Sequence, residues 1–490
     1  MQVIFINIII QFPKEIVPQL LIVNCQLSIE KKGWMKLDLS LSEIVEAISG
    51  EILVNNNEGN FNKISTDTRK IEKDNLFIAL TGENFNGNDY VCSAIEKGAS
   101  IVIIDEVKFK VEELNNRGTI IKVKNTKSAL GDLARFYRKK IGIKVVGITG
   151  STGKTSTKDL VAAFLSGKYK VFKTQGNFNN EIGLPLMIFE LSKEYDIAVL
   201  EMGTSNFGEI NRLASIALPD VAAITNIGVA HIEYLKSREN ILKEKMCITD
   251  YFDDKNSLII NCENDMLKTV NKCDEFKLEK IGYDEKYDLY AKNIKLTCET
   301  TSFDAVIKNK ISYRFNLNMV GEHNVLNALI GIQIARDFDL TFEEMEKGLE
   351  NFNATSMRLE FINKNNFTII NDSYNANPDS MKAALKVLDN YSGTRKIAVL
   401  GTMGELGDYA KEAHVEVGKF AKGKADLLLT TGEFKKYYEE GFKEGTMVFE
   451  TKQELMETLA KLIKEKDTIL IKASRSGKFE EIIKYIEKLK

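Results

Sequence analysis

Short apolar runs separated by polar turns recur along nearly the whole chain, and their spacing predicts which are strands and which helices. Leu41-Ser42-Glu43-Ile44-Val45-Glu46-Ala47-Ile48 has helical spacing, while Leu76-Phe77-Ile78-Ala79-Leu80 and Ile101-Val102-Ile103-Ile104 read as buried strands. A helix over 129–136 leads to the strand Ile143-Lys144-Val145-Val146, and 157–165 is again helical. Strand runs return at 197–200, 221–224 and 257–260 with helices between them, the rhythm of a mainly parallel sheet covered on both faces. Beyond Tyr287 the pattern turns to alternation, at 303–307 and 313–317, which predicts a small antiparallel appendage, followed by a helix over 324–335. Runs at 368–370, 396–400, 426–429 and 468–471, again with helices between, predict a further sheet. The chain is therefore expected to be α/β in three domains, at 35–125, 126–352 and 353–490. Its 490 residues give the same count at roughly 150 per domain.

Residues 1–34 do not fit this rhythm. Their apolar start, Met1-Gln2-Val3-Ile4-Phe5-Ile6-Asn7-Ile8-Ile9-Ile10, is short of the roughly 20 residues that span a bilayer. It also lacks the basic region and cleavage site of a signal peptide, so a non-conforming extension is expected. A net charge of -3 provides no footprint for nucleic acid or an anionic membrane, which leaves small molecules as the expected partners. The six cysteines are scattered without a C-x-x-C pair, as in reduced thiols of a cytoplasmic protein.

Candidate chemistry begins at Gly147-Ile148-Thr149-Gly150-Ser151-Thr152-Gly153-Lys154-Thr155-Ser156, between a predicted strand and a predicted helix. That context suits a phosphate-binding loop, in which backbone N–H groups and a helix N-terminus face phosphate oxygens. Thr149, Gly150, Ser151, Thr152, Gly153, Lys154 and Thr155 form the candidate nucleotide cradle. Lys154 is expected to reach the β- and γ-phosphates, and the Thr155 hydroxyl to hold Mg²⁺. Glu201 and His231 each follow a predicted strand of the same sheet, at the carboxyl edge where ligands of such sheets sit. A carboxylate and an imidazole there suit Mg²⁺ beside a triphosphate. Asn271-Lys272-Cys273-Asp274 fits the guanine-reading N-K-x-D pattern, but no Asp has Gly three residues later, as a GTPase also needs.

Together, T-G-S-T-G-K-T, the Glu201 and His231 segments, Gly321-Glu322-His323-Asn324-Val325-Leu326-Asn327-Ala328 and Arg358 resemble the Mur ligase family, whose members form amide bonds in peptidoglycan precursors using ATP. The resemblance runs from about Met35 to the C-terminus. Asp372-Ser373-Tyr374-Asn375-Ala376-Asn377-Pro378-Asp379-Ser380-Met381 is similar to the branch that adds D-Ala-D-Ala to UDP-N-acetylmuramoyl-tripeptide. So are Gly176-Asn177-Phe178-Asn179-Asn180-Glu181-Ile182-Gly183-Leu184-Pro185 and Met403-Gly404-Glu405-Leu406-Gly407. Departures are Thr402 where the family often has Asp, and Lys472-Ala473-Ser474-Arg475 where it has K-G-S-R. The D-N-P-R signature of the diamino-acid-adding branch is absent.

The resemblance implies a UDP-binding first domain, a P-loop ATPase-like central domain and a Rossmann-like third domain. It implies a monomer in the cytoplasm, acting on UDP-N-acetylmuramoyl-tripeptide and D-Ala-D-Ala through an acyl phosphate, with no membrane insertion. Two Mg²⁺ ions are implied, one held by Thr155 and Glu201, the other by His231 and a carbamylated lysine. Alignment selects Lys245, with Lys243 as the alternative. Asn324 is expected to read adenine with His323 packed nearby, and Arg358 and Asp372 to reach the γ-phosphate and ribose. Lys154, Glu201, His231, Lys245 and Arg358 are thus the implied catalytic set. The loops 66–69, with Thr68 and Arg69 as contacts, and 81–88 are expected at the UDP end of the substrate. Asn179 and Asn180 are expected at its peptide, with Asn375 and Asn377 as further substrate contacts. A bend near 353–356 would close the third domain on the nucleotide. Another Mur-type ligase that adds a diamino acid, or a P-loop nucleotide switch, are the alternative readings.

Overall fold

The computed structural model describes residues 37–56, 61–114, 117–271, 274–308, 312–350, 352, 354–364 and 366–488. The N-terminal extension, the predicted domain start at 35, Lys272 and Cys273 of the N-K-x-D match, and Asn353 lie outside them. Two compact units divide after Thr126.

The first unit is built on β1 (Glu51–Val54), β2 (Lys63–Ser65), β3 (Asn75–Ile78), β4 (Ala99–Ile104) and β5 (Thr119–Lys122). They form one sheet in the order β1-β5-β4-β3-β2, parallel except for β1 against β5. The two strands read from sequence, β3 and β4, are buried throughout, which is why their apolar runs are continuous. The helix Leu41–Ile48 forms where its spacing predicts, closed by a capping box between Ser40 and Glu43.

The second unit carries two sheets. The first contains β6 (Lys144–Thr149), β7 (Val171–Lys173), β8 (Ile197–Glu201), β9 (Val221–Ile224), β10 (Ser257–Asn261) and β11 (Lys277–Gly282). It continues through β12 (Leu289–Leu296), β13 (Thr301–Ile307) and β14 (Ser312–Leu317), in the order β14-β13-β12-β11-β10-β9-β6-β8-β7. β6 therefore lies between β8 and β9, so the loops leaving all three meet at one point of the carboxyl edge. The helix Lys154–Ser166 is buried nearly all round because it lies between the sheet and the helix His323–Asp337.

The alternating strands β12 to β14 are antiparallel as predicted, but they are not an appendage. β12 pairs in parallel with β11, Ile281 beside Leu289 and Gly282 beside Tyr290, so the three extend the central sheet. Their apolar faces join its core: the Phe315 ring stands edge-on to Phe164 at 5.8 Å. Alternation reports one solvated face, not a separate body.

The other sheet holds β15 (Glu360–Asn363), β16 (Phe367–Asn371), β17 (Arg395–Leu400), β18 (Leu427–Thr431), β19 (Thr446–Phe449) and β20 (Asp467–Lys472). Its order is β15-β16-β20-β17-β18-β19, antiparallel only at β15, with an apolar core on each face. This is the doubly wound arrangement expected of a Rossmann-like domain.

Candidate active site

The loop from β6 into the helix Lys154–Ser166 is shaped by two glycines with positive φ, Gly150 at 151° and Gly153 at 80°. A Cβ on Gly150 would stand 1.9 Å from Thr225 Oγ1, so the loop depends on glycine for space as well as for conformation. The Thr225–Asn226 segment after β9 straps it down. Thr152 N–H donates to Asn226 Oδ1 at 2.7 Å, Ser151 N–H to the Asn226 carbonyl at 3.0 Å, and Thr225 Oγ1 to the Thr152 carbonyl at 2.5 Å. No side chain caps the helix, so its first N–H groups face the cradle without intrahelical partners. Lys154 folds back, Nζ donating to the Gly150 carbonyl at 2.7 Å. The residue keeps some exposure, but its ammonium is enclosed; burial lowers its pKa, with Glu201 opposing. Thr149 Oγ1 is buried beside the loop with no partner.

Thr155 Oγ1 donates to Glu201 Oε2 at 2.8 Å, and Asn179 Nδ2 donates to Glu201 Oε1 at 2.8 Å. Asn179 thus lies at the candidate metal carboxylate. Asn180 instead accepts from the Ile182 and Gly183 N–H groups, in the turn that leads into the helix Gly183–Phe189.

The helix Arg238–Met246, started by a Ser237 cap, separates the two lysine alternatives. Lys243 is exposed, whereas Lys245 is 1 % exposed. Burial pushes the Lys245 amine well below its ordinary value, the Lys154 charge adds to this, and Glu244 opposes it. Glu244 is itself occupied, accepting from the Gly208 and Ile210 N–H groups at 2.8 Å each. His231 has φ 63°, and its Nδ1 lies 2.5 Å from Glu405 Oε2, a carboxylate of the third sheet's loops. The hydrogen bond from His231 holds the Glu405 carboxyl below its usual range.

A cavity of about 430 Å³ opens between the central and third sheets. Lys154, Asn324, Arg358, Asp372, Asn375 and Asn377 all line it. Asn324 spends one amide hydrogen on the Val320 carbonyl (2.9 Å) and one lone pair on Asn327 (3.0 Å), leaving one of each for a ligand. The Arg358 guanidinium lies 4.4 Å from the Tyr374 ring centre, and its buried Nε has no partner. Asp372 is paired with Lys472 at 2.5 Å. Asn377 caps the helix Pro378–Asn390 by accepting from Ser380 N–H, and Asn375 accepts from Ala376 N–H. His323 borders this cavity, and burial lowers its imidazole to about 4. Near the expected bend, Thr355 donates through Oγ1 (2.5 Å) and N–H (3.2 Å) to Asp159.

In the first unit, Thr68 opens a short 3-10 turn capped by Asp67. Arg69 is exposed and forks onto the Asp67 carboxylate at 2.9 and 2.8 Å, which brings that group to about 2. The loop 81–88 is ordered by Asn88, which is buried and donates to Asp105 Oδ1 at 2.7 Å.

Sequence reasoning missed Lys472, Glu405 and Asn327, although each lay inside a motif it quoted. The missing signal was the partner: Asp372, His231 and Gly153 are remote in sequence. Ala473 needs no compensation, because its Cβ packs in the third domain's core.

Three family profiles match the chain: "Mur ligase family, catalytic domain" at residues 60–138, "Mur ligase middle domain" at 148–335 and "Mur ligase, glutamate ligase domain" at 357–475. The UDP-N-acetylmuramoyl-tripeptide–D-alanyl-D-alanine ligase of Bacillus subtilis is 39% identical over 86% of this chain and 92% of its own length. The Escherichia coli enzyme of the same name is 32% identical over 92% and 99%. Among solved structures, MurF from Acinetobacter baumannii superposes with a TM-score of 0.84 at 30% identity, covering 92% of this chain and 99% of that one. MurF from Thermotoga maritima in complex with ADP gives 0.78 at 28% identity, covering 87% and 97%. With matches of this identity over nearly all of the described residues, and a phosphate loop built as the motif predicts, the chain belongs to the Mur ligase family.

Proposed function

We propose that the protein joins D-Ala-D-Ala to UDP-N-acetylmuramoyl-tripeptide with ATP, giving the pentapeptide precursor of peptidoglycan through an acyl phosphate. The observation that carries this reading is the meeting of Lys154, Thr155 and the third-domain Arg358 at one cavity, with Glu201 held behind it by Thr155, in a chain related over most of its length to ligases of that name.

The residues fit a nucleotide. Glycine cradle, uncapped helix N-terminus and unpartnered Arg358 Nε are all donors or space waiting for an anion. They also fit Mg²⁺, a hard cation that keeps few protein ligands and many oxygens from substrate and water. Among the described residues no three of His, Cys, Asp and Glu converge. Each ion would therefore draw on fewer than three such side chains: Glu201 with Thr155 for one, His231 with carbamylated Lys245 for the other. When bound, Mg²⁺ neutralises phosphate charge and aligns the transferring group.

Lys154 would exchange the Gly150 carbonyl for the γ-phosphate, and Arg358, stacked on Tyr374, would approach the same group from the third domain. Catalysis is then positioning and charge neutralisation around the tripeptide carboxylate, with water excluded as the domains close. Closure would bend near 353–356, where the Asp159–Thr355 bonds give the turning segment a fixed anchor. Lys245 would take up CO₂ because burial lowers the pKa of its amine and so favours the neutral form, whose lone pair can attack the carbon; the proton released leaves a carboxylate on a long arm. The loops at 66–69 and 81–88 would hold the UDP end, Asn179 and Asn180 the peptide. A monomer acting in the cytoplasm completes the reading.

The test is phosphate release from ATP and Mg²⁺ with the two acceptors varied. Release requiring both UDP-muramoyl-tripeptide and D-Ala-D-Ala, with a product heavier by one dipeptide residue, is expected. Release requiring instead the dipeptide precursor and a free diamino acid would move the enzyme one step earlier. Release without any acceptor would replace the ligase with a nucleotide switch.

A further inference from the structure

The third domain sends a single acidic side chain onto His231, and the loop that carries it is held with unusual completeness. Gly401 N–H donates to the Lys472 carbonyl at 2.9 Å, and the Gly401 carbonyl accepts from Tyr438 OH at 2.9 Å. The Thr402 carbonyl accepts from Ser474 N–H at 3.0 Å, and Gly404 N–H donates to Ser474 Oγ at 2.8 Å. Between them, Met403 N–H donates to His414 Nε2 at 3.0 Å. His414 is fully buried, stacked 4.7 Å from Phe434 and edge-on to Tyr438 at 4.9 Å. Its Nδ1 lies 2.6 Å from the Ala410 carbonyl, which only accepts, so Nδ1 carries the hydrogen and Nε2 is free to receive Met403. Four consecutive backbone positions are thus fixed from beneath.

Glu405 follows directly, in a left-handed conformation at φ 61° that a non-glycine residue seldom adopts. Met403 and Leu406 on either side are buried at 1 % and 2 %, so the strain is sustained by packing. The result is that Glu405 Oε2 sits 2.5 Å from His231 Nδ1, and the Glu405 carbonyl accepts from Glu233 N–H at 3.3 Å. Both His231 and Glu233 belong to the central domain. A half-exposed ion pair contributes little to stability, so such construction points to another purpose. A carboxylate against one imidazole nitrogen fixes the ring's tautomer and direction, and leaves the opposite nitrogen with its lone pair.

We propose that Glu405 is a positioning residue delivered by the third domain: it holds His231 with its hydrogen on Nδ1, so that Nε2 is ready as a metal ligand only while the two domains are docked. The metal site and the domain seam then report on each other through one side chain. The inference rests on the reading of His231 as a ligand, but its first readout needs neither metal nor substrate.

Histidine-selective ¹⁵N NMR of the full chain reads the tautomer directly, and the chain has only three histidines to assign. At pH 8.5, His231 should carry its hydrogen on Nδ1 in the wild type and shift toward Nε2–H in Glu405→Ala, while Glu405→Gln, which keeps an acceptor oxygen, stays near the wild type. The Mg²⁺ concentration for half-maximal activity should rise about 10- to 100-fold in Glu405→Ala, with KM for D-Ala-D-Ala within about twofold and most of the loss recovered in Glu405→Gln. An unchanged tautomer in Glu405→Ala, or an unchanged Mg²⁺ requirement, would overturn the proposal. A tautomer shift in a protein that ligates nothing would instead overturn the ligase reading and leave Glu405's hold on His231 standing.

Discussion

Replacing Lys245 by Ala separates a catalytic carbamate from an ordinary buried lysine. The substitution removes three methylenes from a side chain that is 1 % exposed, at about 0.8 kcal/mol each, or about 2.4 kcal/mol of lost burial. Against this, it removes a buried amine whose charge Glu244 only partly compensates, and burying an uncompensated polar group costs roughly 1–3 kcal/mol. The two nearly cancel, so Tm should move by only a few degrees. Activity should not survive: loss of one preorganised charge at a phosphoryl-transfer site costs about 10²- to 10³-fold in kcat. The vacated space should admit a short carboxylic acid, and formate, acetate or propionate should restore part of kcat in a saturable way. Phosphate release measured with and without these acids, beside thermal unfolding, decides the matter. Full activity of Lys245→Ala without any acid would refute the argument, and so would inactivity caused by a collapsed Tm.

Other perturbations follow from the same geometry. Gly150→Ala drives a Cβ to 1.9 Å from Thr225 Oγ1 at a φ of 151°, so nucleotide binding by calorimetry should be lost and Tm lowered, while Gly118→Ala, whose Cβ would meet nothing nearer than 3.4 Å and whose φ is not left-handed, should retain binding. Asn377→Ala should cost about 1 kcal/mol as a lost helix cap, and Asn377→Asp, which keeps the acceptor for Ser380 N–H, should not; an Asn377→Asp variant that remains stable but has a raised KM for D-Ala-D-Ala would add a substrate role. Glu279 titrates high because it is buried, with Asp337 adding and Lys277 opposing. The folded state therefore holds a proton that the unfolded chain releases above its ordinary carboxyl pKa, and stability should fall as pH rises from about 4.5 toward the raised value. Glu279→Gln should flatten that slope in Tm measured from pH 5 to 9; parallel curves for wild type and variant would exclude the assignment.

What the sequence revealed depended on whether a signal was local. The phosphate loop was legible because strand, glycines and helix are contiguous, and β4 because it is buried on both faces and apolar over 101–104. β2 and β7 escaped notice because each is only three residues long and carries polar positions. The alternation of β12 to β14 was read correctly as antiparallel and wrongly as an appendage, since nothing local in Leu289 or Tyr290 announces parallel pairing with Ile281 and Gly282. The same limit applies to the site. Alignment selected Lys245 over Lys243, but the physical difference between them, one buried and the other exposed, depends on how the helix is rotated into its pocket. Asn180 and Asn377 could be nominated, but the turn and cap bonds they make depend on backbone N–H groups whose direction only the fold decides. Glu405 is the sharpest case: its partner lies 174 positions earlier in the numbering, and the φ of 61° that aims it is sustained by His414, Ser474 and Tyr438 from three other segments. Residue type announces that a chemistry is available; only long-range packing determines which copy of that residue performs it.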